Sequence, residues 1–295
     1  MFPVPNKITG SRKDLIHSYV TQLIAAETKL PPPKCESAFR FCSYNVKYFK
    51  FEQYTSADIH AFVDRIQPDA FSLIEYEVKH GEDFNNLPAT NKIMFEQLSG
   101  YGILSAFMGT ANIDGSAKYL DSTRCLKNST ISKAPELRGF THLHSDINSL
   151  PINIITVHLD VQDETGTVRL REIEEIYDYI RTKDLRNVLI MGDFNEWDLR
   201  EGDDLYLDSL SDFQERTGLN AFSTKAHGFL KNHKFINVFH MKGLHPKFSC
   251  WSGKLVDFCY LFTSTWDNRL NIQNIYMPLV PFSDHLPLIV DIGIN

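Results

Sequence analysis

Short apolar segments alternate with helical patterns from Phe39 to the C-terminus of this chain. Apolar runs of about four to eight residues are typical of buried strands, and longer segments with a 3.6-residue period are typical of helices. The predicted strands are Phe39–Asn45, Asp69–Glu75, Ile152–His158, Asn187–Gly192, Val256–Phe262 and Leu288–Ile292. The predicted helices are Thr55–Ile66 and Val168–Thr182. This alternation indicates a domain of the α/β class.

The N-terminal segment is predicted to be an extension of this domain. Residues 11–29 carry apolar side chains at helical spacing, namely Leu15, Ile16, Tyr19, Val20, Leu23 and Ile24. The run Leu30-Pro31-Pro32-Pro33 ends the pattern, because proline lacks an N–H and disfavours a helical residue before it. We expect residues 1–38 to contain an amphipathic helix and residues 39–295 to form the main domain. The helix is interpreted as docked on that domain, and the alternative is a partner-binding helix.

Composition limits the classes of protein that this chain can belong to. No apolar run approaches the roughly 18 residues that span a bilayer, and Lys7, Arg12 and Lys13 interrupt any signal-peptide core. The five cysteines are an odd number without a C-x-x-C pair, which argues against a disulfide framework and a zinc site. We therefore expect an intracellular protein without a signal peptide or transmembrane segment. The net charge of −7 gives no overall attraction to a polyanion.

Polar residues follow several of the apolar strands directly. Asp193 and Asn195 come two residues apart after a buried strand, so a carboxylate can orient a water while an amide holds a phosphoryl oxygen. Taken alone, the same residues would fit a simple Gly-Asp-x-Asn turn. His158 ends another strand, and strand ends that meet at one rim are where α/β proteins place their sites.

Charged residues next to the later strands point to the same rim. Asp284 and His285 precede the last strand, where a carboxylate can bind a metal and an imidazole can bind phosphate. Asp257 lies within an apolar strand and needs a partner, for which a histidine is suited. The alternative for Asp257 is a bond to the backbone or to an arginine.

A lone carboxylate also ends the second predicted strand. Mg²⁺ keeps several waters and takes only one or two protein carboxylates, so a single glutamate, Glu75, can suffice. Glu77 points the same way by strand alternation and is the rival ligand. For both residues, simple solvation at the strand exit is the alternative.

Six segments in chain order resemble motifs of the endonuclease/exonuclease/phosphatase superfamily, which includes nucleases, deadenylases, inositol polyphosphate phosphatases and neutral sphingomyelinases. They are Ser43-Tyr44-Asn45-Val46, Pro68-Asp69 through Glu75, Val157-His158-Leu159-Asp160 with Arg169, Gly192-Asp193-Phe194-Asn195, Val256-Asp257-Phe258 and Ser283-Asp284-His285. Any one motif is common, whereas six in the correct order are hard to obtain by chance. The resemblance implies a four-layer sandwich of two mixed β-sheets packed face to face, with helices on the outside.

The resemblance also implies a role for each motif residue in a catalytic domain spanning residues 39–295. Mg²⁺ or Mn²⁺ is expected on Glu75, with Asn45 and Asp284 nearby. Asp193 is expected to orient and deprotonate the attacking water. The other expected roles are phosphate contacts by Asn195 and His158, stabilisation of the pentavalent transition state by His285 backed by Asp257, and phosphate binding by Asn128 and Arg169.

Two positions depart from the family pattern. Ile74 stands where the family usually has Gln before the metal-binding glutamate, which leaves Glu77 as an alternative to Glu75. Lys127 replaces the usual Gly in the segment that resembles G-N-a-i-l-S-k, and Lys127 or Lys133 could approach a substrate phosphate.

The activity implied by the resemblance is metal-dependent hydrolysis of a phosphoester. Our first interpretation is a nuclease or nucleic-acid end-processing phosphodiesterase, because aromatic residues near the first and fourth motifs could stack on bases. Packing in the core is the alternative for these aromatics, and it is the more common role of such residues. These residues are Phe49, Phe51, Tyr54 and Trp197. The alternative is an inositol polyphosphate phosphatase or a sphingomyelinase-like phospholipase, and a third hypothesis is a catalytically silent binding scaffold. We expect a phosphodiester substrate, nucleic acid first, and no obligate protein partner.

Overall fold

The computed structural model describes residues 30–108, 114–121, 137–197, 223–246, 248–252 and 254–295, together with residue 21. In chain order the strands are β1 (Phe39–Asn45), β2 (Ala70–Glu77), β3 (Lys92–Leu98), β4 (Tyr101–Phe107), β5 (Asp114–Tyr119), β6 (Gly139–Ile147), β7 (Leu150–His158), β8 (Val188–Asp193), β9 (Phe235–Asn237), β10 (Asp257–Phe262), β11 (Leu270–Tyr276) and β12 (Leu288–Ile294). The helices are α1 (Ser56–Ile66), α2 (Glu82–Asn85), α3 (Thr167–Thr182), α4 (Lys225–Asn232) and α5 (Val238–Met241). Short 3₁₀ turns lie at Lys47–Phe49, Val78–His80, Ala89–Asn91 and Thr263–Thr265.

The strands form two six-stranded sheets of matching design. The first has the order β11-β12-β1-β2-β4-β3, and the second has the order β5-β6-β7-β8-β10-β9. The parallel pair β1/β2 lies at the centre of the first sheet, and the parallel pair β7/β8 lies at the centre of the second. The neighbours of both pairs are antiparallel. Both sheets are therefore mixed.

Three apolar layers hold the sheets and helices together. Side chains such as Phe41 and Met191 pack between the two sheets. The outer face of the first sheet is covered by α1, whose Phe62 is buried there. The outer face of the second sheet is covered by α3 and α4, which bury Ile173 and Leu230. The order helix, sheet, sheet, helix follows from these layers, and the predicted four-layer α/β sandwich is confirmed.

The elements predicted from apolar runs all appear, with ends shifted by a few residues. The structure adds β3, β4, β5, β6, β9 and β11, which the sequence patterns did not predict. The helix predicted within residues 11–29 falls almost entirely outside the described residues, so it stays a prediction. In the described part of the chain, no helix is long and apolar enough to cross a membrane.

Strand direction brings the predicted site residues to one edge of the sandwich. The strands β1, β7 and β8 end there at Asn45, His158 and Asp193, and β10, antiparallel to β8, begins there at Asp257. We call this edge the carboxyl edge, defined by these four residues. The opposite edge, where β1 begins and Arg40 lies, is the amino edge.

Candidate active site

Asp193 is the last residue of β8 and directly follows Gly192. Gly192 has a φ of 132°, and a Cβ at this position would lie 2.2 Å from the carbonyl oxygen of Val157 on β7. Glycine is therefore required for the close approach of the two strands. After the strand, Asn195 has a φ of 46°, and its backbone N–H donates to Asp193 Oδ1 at 2.9 Å. This turn leaves Asp193 Oδ2 for contacts within the carboxyl edge.

Asp193 Oδ2 lies at the centre of a cluster of polar side chains. Asn45 Nδ2 donates to this oxygen at 3.1 Å and to Glu75 Oε1 at 3.2 Å. The Nε2 atoms of His158 and His285 lie 3.9 and 3.8 Å from Asp193 Oδ2, which is too long for direct hydrogen bonds. Residues from β1, β2, β7, β8 and the segment before β12 therefore meet around one buried carboxylate oxygen.

The environment of Asp193 sets its proton affinity. Burial raises the pKa of the Asp193 carboxyl to about 7, with His285 acting in the opposite direction and the charges of Asp257 and Glu75 adding to the rise. A carboxyl group with a pKa near neutrality can both take up and release a proton at physiological pH. This property suits a general base.

His285 is held by Asp257, the first residue of β10. The Nδ1–H of His285 donates to Asp257 Oδ2 at 2.8 Å. Burial alone would lower the pKa of the imidazole, but the charges of Asp257 and Asp193 outweigh burial and raise the pKa of His285 well above its ordinary value. The ring is therefore an imidazolium at neutral pH, with its Nε2–H 3.8 Å from Asp193 Oδ2.

Two buried serines fix the segments that carry these residues. Ser283 Oγ donates to the carbonyl oxygen of Asn45 at 2.6 Å, which ties the start of the last strand to the end of β1. Ser249 Oγ accepts from the N–H of Asp257 at 3.0 Å, and its carbonyl oxygen accepts from the N–H of Leu286 at 2.7 Å. The position of the segment before β12 next to β10 is therefore set by Ser249, through its hydroxyl group on one side and its carbonyl oxygen on the other.

Glu75 reaches the cluster through a bulge in β2. The register between β2 and β4 shifts between Ile74 and Tyr76, and Glu75 between them has a φ of 55°. Glu77 belongs to a different group of contacts, because its carboxylate pairs with Lys79 at 2.5 Å. Simple alternation would place both glutamates on one face, and the bulge separates them. Glu75 therefore joins the cluster and Glu77 does not.

The donor set at Asn45, Glu75 and Asp284 fits a hard divalent cation. Glu75 Oε2 is buried without a hydrogen-bond partner, and Asp284 is only 2% exposed. A buried carboxylate oxygen without a partner is unfavourable unless a cation compensates it, and Mg²⁺ prefers oxygen ligands of this kind. The ammonium group of Lys47 lies next to both carboxylates, 3.2 Å from Asp284 Oδ2 and 4.0 Å from Glu75 Oε2.

A second group of possible metal ligands has a different use. Atoms of Asp193, Asp257 and His285 lie within 4.8 Å of one another. His285 already donates a proton to Asp257, and its raised pKa keeps both ring nitrogens protonated. A histidine must be neutral to bind a metal. The chemistry of these three residues therefore suits proton transfer and charge stabilisation, and the neighbouring carboxylates are better suited to hold a metal.

His158 differs from His285 in its charge. Burial and the positive charge of Arg138 lower the pKa of His158 well below its ordinary value, so this ring is neutral. Its Nδ1 lies 3.3 Å from the amide oxygen Oε1 of Gln97, while the amide nitrogen of Gln97 is buried without a hydrogen-bond partner. An amide turned to present its NH₂ to Nδ1 satisfies both groups. His158 then carries its proton on Nε2, where it can donate to a phosphate oxygen.

The other residues with predicted phosphate contacts lie in different surroundings. Asn195 Nδ2 donates to the carbonyl oxygen of Leu159 at 3.0 Å, which leaves one amide hydrogen for a phosphate oxygen. Arg169 donates to the carbonyl oxygen of Asp160 at 2.9 Å, so it supports the chain after β7 and is not brought to the cluster by this contact. Asn128 lies outside the described residues.

Two residues of the cluster were not predicted from the sequence. Lys47 lies two positions after Asn45, and a charged residue so close to the end of a buried strand was a usable signal. Gln97 lies on β3, whose mixed polar and apolar sequence did not predict a strand. Nothing in the sequence pattern pointed to Gln97.

A scan of protein-family models finds no match to this sequence, and a search of curated proteins also finds none. Solved structures do match. An endonuclease/exonuclease/phosphatase protein from Beutenbergia cavernae is 12% identical with a TM-score of 0.60, covering 88% of this chain and 72% of that one. TDP2 of D. rerio, complexed with a single-strand DNA product, is 11% identical with a TM-score of 0.57, covering 88% and 100%. Mannosyl-6-phosphatase of Bacteroides thetaiotaomicron is 13% identical with a TM-score of 0.54, covering 86% and 99%. The predicted resemblance is thus confirmed for the fold.

Proposed function

We propose that this chain is a divalent-metal-dependent phosphodiesterase that acts on nucleic acid as a nuclease or end-processing enzyme. The main support for this proposal is the set of side chains around Asp193 Oδ2. Asn45 Nδ2 lies 3.1 Å from this oxygen, and the Nε2 atoms of His158 and His285 lie 3.9 and 3.8 Å from it. A base with a pKa near neutrality, an imidazolium and a set of oxygen ligands occur together in this site. Hydrolysis of a phosphoester uses all three.

Each residue has a defined part in the proposed reaction. Asp193 orients a water molecule toward phosphorus and accepts its proton. The Nε2–H groups of His158 and His285 donate to phosphoryl oxygens as negative charge builds on them. Asp257 keeps His285 oriented and protonated through the 2.8 Å hydrogen bond to Nδ1.

The metal ligands complete the proposed site. Asn45, Glu75 and Asp284 would hold Mg²⁺ or Mn²⁺, which when bound supplies Lewis-acid stabilisation of the developing charge. Asn45 also contacts Asp193, so the base and the ligand set are joined by one side chain. Displacement of Asn45 should therefore disturb both.

Nucleic acid is favoured as substrate because of the flanks of the site. Tyr48 is partly exposed next to Lys47 and packs against Tyr101 at 5.2 Å between ring centroids. Trp197 is partly exposed two residues after Asn195. Aromatic rings beside a phosphate site suit the stacking of successive bases. The TDP2 structure with a similar fold is complexed with single-strand DNA product, which supports the same choice.

The aromatic residues proposed from the sequence divide into two groups. Phe49 and Phe51 are 5% and 3% exposed and belong to the core, so they are not available for stacking. Trp197 remains a candidate, because the ammonium of Lys254 lies 5.1 Å from the centre of its ring and a base stacked nearby would also meet a positive charge.

The second candidate is an inositol polyphosphate phosphatase, which is a phosphomonoesterase, or a sphingomyelinase-like phospholipase, which cleaves a lipid phosphodiester. The mannosyl-6-phosphatase has a similar fold, and the net charge of −7 gives this chain no overall attraction to a long polyanion. Inositol phosphates and phosphosugars are the substrates of the phosphatase form of this candidate, and sphingomyelin is the substrate of the phospholipase form.

A substrate panel separates these candidates. Wild-type protein and Asp193→Asn would be incubated with single-stranded DNA, duplex DNA, RNA, inositol phosphates, a phosphosugar and sphingomyelin, each with Mg²⁺ and with a chelator. Asp267→Asn, at a partly exposed aspartate that pairs with Arg269 away from the cluster, is the matched control. We expect nucleic acid to be cleaved with Mg²⁺ by the wild type and the control, and not by Asp193→Asn.

The other outcomes of the panel are equally informative. Hydrolysis restricted to small phosphomonoesters or to sphingomyelin would replace the nucleic-acid proposal with the second candidate. Full activity in chelator would remove the metal from the account. No hydrolysis of any substrate, with binding retained by Asp193→Asn, would favour a binding scaffold.

A further inference from the structure

Lys47 places its ammonium group between the two carboxylates assigned to the metal. Its Nζ lies 3.2 Å from Asp284 Oδ2 and 4.0 Å from Glu75 Oε2. The side chains of Asp284 and Glu75 are 3% and 11% exposed, whereas that of Lys47 is 29% exposed. The lysine therefore enters from the solvent side and acts as the cation of the site.

The backbone that carries Lys47 is held in an unusual conformation. Lys47, Tyr48 and Phe49 have φ values of 47°, 58° and 56°, which makes three consecutive left-handed residues without a glycine. Such a conformation persists only where the surroundings enforce it. Phe49 is buried and stacks on Phe84 at 5.8 Å, and the N–H of Lys47 donates to Asn45 Oδ1 at 3.2 Å. Both ends of the turn are anchored, and the anchors hold Lys47 at the cluster.

The ammonium group and a metal ion need the same space. Mg²⁺ binds carboxylate oxygens at about 2.0–2.1 Å, so an ion held by Glu75 and Asp284 would be in close contact with the ammonium in its present position. Two positive charges so close together repel each other strongly in a partly buried site. The flexible four-carbon stem of lysine allows the ammonium group to leave.

We propose that Lys47 competes with the divalent metal, so that the metal binds only when the Lys47 ammonium moves out of the space between Glu75 and Asp284. This inference rests on the proposed function insofar as these carboxylates form a metal site. The metal requirement of the protein is then set by a residue that is not itself a ligand.

Direct measurement of metal binding tests the competition without any substrate. Free Mn²⁺ would be followed by electron paramagnetic resonance during titration of the wild type, Lys47→Met and Lys50→Met. Lys50 is the matched control, because it is an exposed lysine whose Nζ lies 3.9 Å from Glu77 outside the cluster. We expect the Kd for Mn²⁺ to fall by about tenfold or more in Lys47→Met and to stay unchanged in Lys50→Met.

The titration separates failure of this inference from failure of the proposed function. Equal or weaker binding by Lys47→Met than by wild type would overturn the competition and leave the metal site standing. Binding that persists unchanged in Glu75→Gln would place the metal elsewhere and overturn both. Absence of binding by wild type and Lys47→Met alike would also overturn both, whereas binding by Lys47→Met alone would support the competition most strongly.

Chemical labelling of the wild type tests the same proposal without depending on the folding of a variant. Lysine side chains would be acetylated with acetic anhydride, with and without Mn²⁺, and quantified by mass spectrometry. We expect labelling of Lys47 to rise at least about twofold when the metal is present, because the ammonium loses its carboxylate partners, and labelling of Lys50 to stay constant. Unchanged or reduced labelling of Lys47 under saturating metal would contradict the proposal.

Discussion

Charged groups are buried at both ends of β1, but the two ends differ in how completely these groups are paired. At the amino edge, Arg40 donates to both oxygens of Asp291 at 2.6 and 2.8 Å and to the carbonyl oxygen of Ile66 at 3.0 Å. At the carboxyl edge, Glu75 Oε2 is buried without a hydrogen-bond partner, and burial raises the pKa of Asp193 to about 7. The amino edge therefore pairs its two charges with each other, whereas the carboxyl edge crowds four carboxyl groups around two cations, Lys47 and His285.

Charged residues that stabilise the fold therefore lie at the amino edge, and charged residues that can serve function lie at the carboxyl edge. A fully paired ion pair has little left to offer a ligand, whereas a crowded group of carboxylates gains when a cation or a phosphate enters. Substitution of one aspartate at each edge tests this difference, as does substitution of residues behind and beside the carboxyl edge.

A large loss of activity is expected from Asp257→Asn at the carboxyl edge. Asparagine keeps the shape but removes the charge that holds His285 as an imidazolium, so kcat should fall by about 10²–10⁴. The free energy of unfolding should fall by less than in Asp291→Asn, because His285, unlike an arginine, can lose its proton when its carboxylate partner is removed. Turnover on the best substrate and urea unfolding would be measured on the same preparation, and retained activity would contradict the role of this pair.

Asp291→Asn is the same substitution at the amino edge, and we expect the reverse result. Arg40 would keep its buried charge without a carboxylate, which should lower the free energy of unfolding by about 3–5 kcal/mol. The kcat of the folded protein should remain within about twofold of wild type, because Asp291 lies outside the cluster. Urea unfolding gives the first quantity and kcat per folded molecule gives the second.

A double variant controls for this second prediction. Arg40→Met with Asp291→Leu removes both charges, so most of the lost stability should return. If the double variant were as unstable as Asp291→Asn, packing rather than an unpaired charge would explain the loss.

The sequence predicted the carboxyl edge well because its residues sit at the ends of apolar strands. A buried run that stops at Asn45, His158 or Asp193 indicates both a strand and the position of its polar end. The strands β3 and β5 were not predicted, because Lys92–Leu98 and Asp114–Tyr119 have few buried positions and no apolar run longer than three residues. Their strand character comes from pairing with neighbouring strands rather than from their own composition.

Backbone exceptions limited the prediction within the site itself. Strand alternation treats Glu75 and Glu77 alike, and only the bulge with a φ of 55° at Glu75 separates them. The left-handed turn that begins at Lys47 contains no glycine, so its sequence did not predict a left-handed conformation. Sequence patterns indicate regular structure, and the site departs from regular structure at both positions.

A smaller effect is expected from Glu172 on α3, behind the carboxyl edge. Its carboxylate accepts the N–H of Asp160 at 2.9 Å, and burial raises its pKa from 4.5 to about 8. The folded state therefore holds an extra proton between these two pH values, so stability should fall as the pH rises from about 4.5 to 8. In Glu172→Gln this part of the pH dependence should vanish, with a gain on the order of 2–4 kcal/mol at pH 8.

Urea unfolding at pH 5 and pH 8 checks the Glu172 prediction. The difference between the two pH values should be smaller for Glu172→Gln than for wild type. An unchanged difference would mean that Glu172 is ionised in the folded protein. Its negative charge would then be compensated by its surroundings, contrary to the raised pKa.

The smallest expected effect is that of Glu77→Gln. Glu77 pairs with Lys79 outside the cluster, so kcat and the Mg²⁺ requirement should stay within about twofold of wild type. The comparison variant Glu75→Gln should lower activity and raise the Mg²⁺ requirement strongly. Equal effects of the two substitutions would show that the bulge does not separate the glutamates in function.

The proposed role of Asp193 as general base is tested by measuring the turnover and the stability of Asp193→Asn together. We predict that kcat falls by about 10³ or more, while the urea midpoint is unchanged or higher, because a buried carboxyl group with a raised pKa serves catalysis rather than folding. A variant that keeps its activity and loses stability would contradict the account, since Asp193 would then be a structural residue like Asp291.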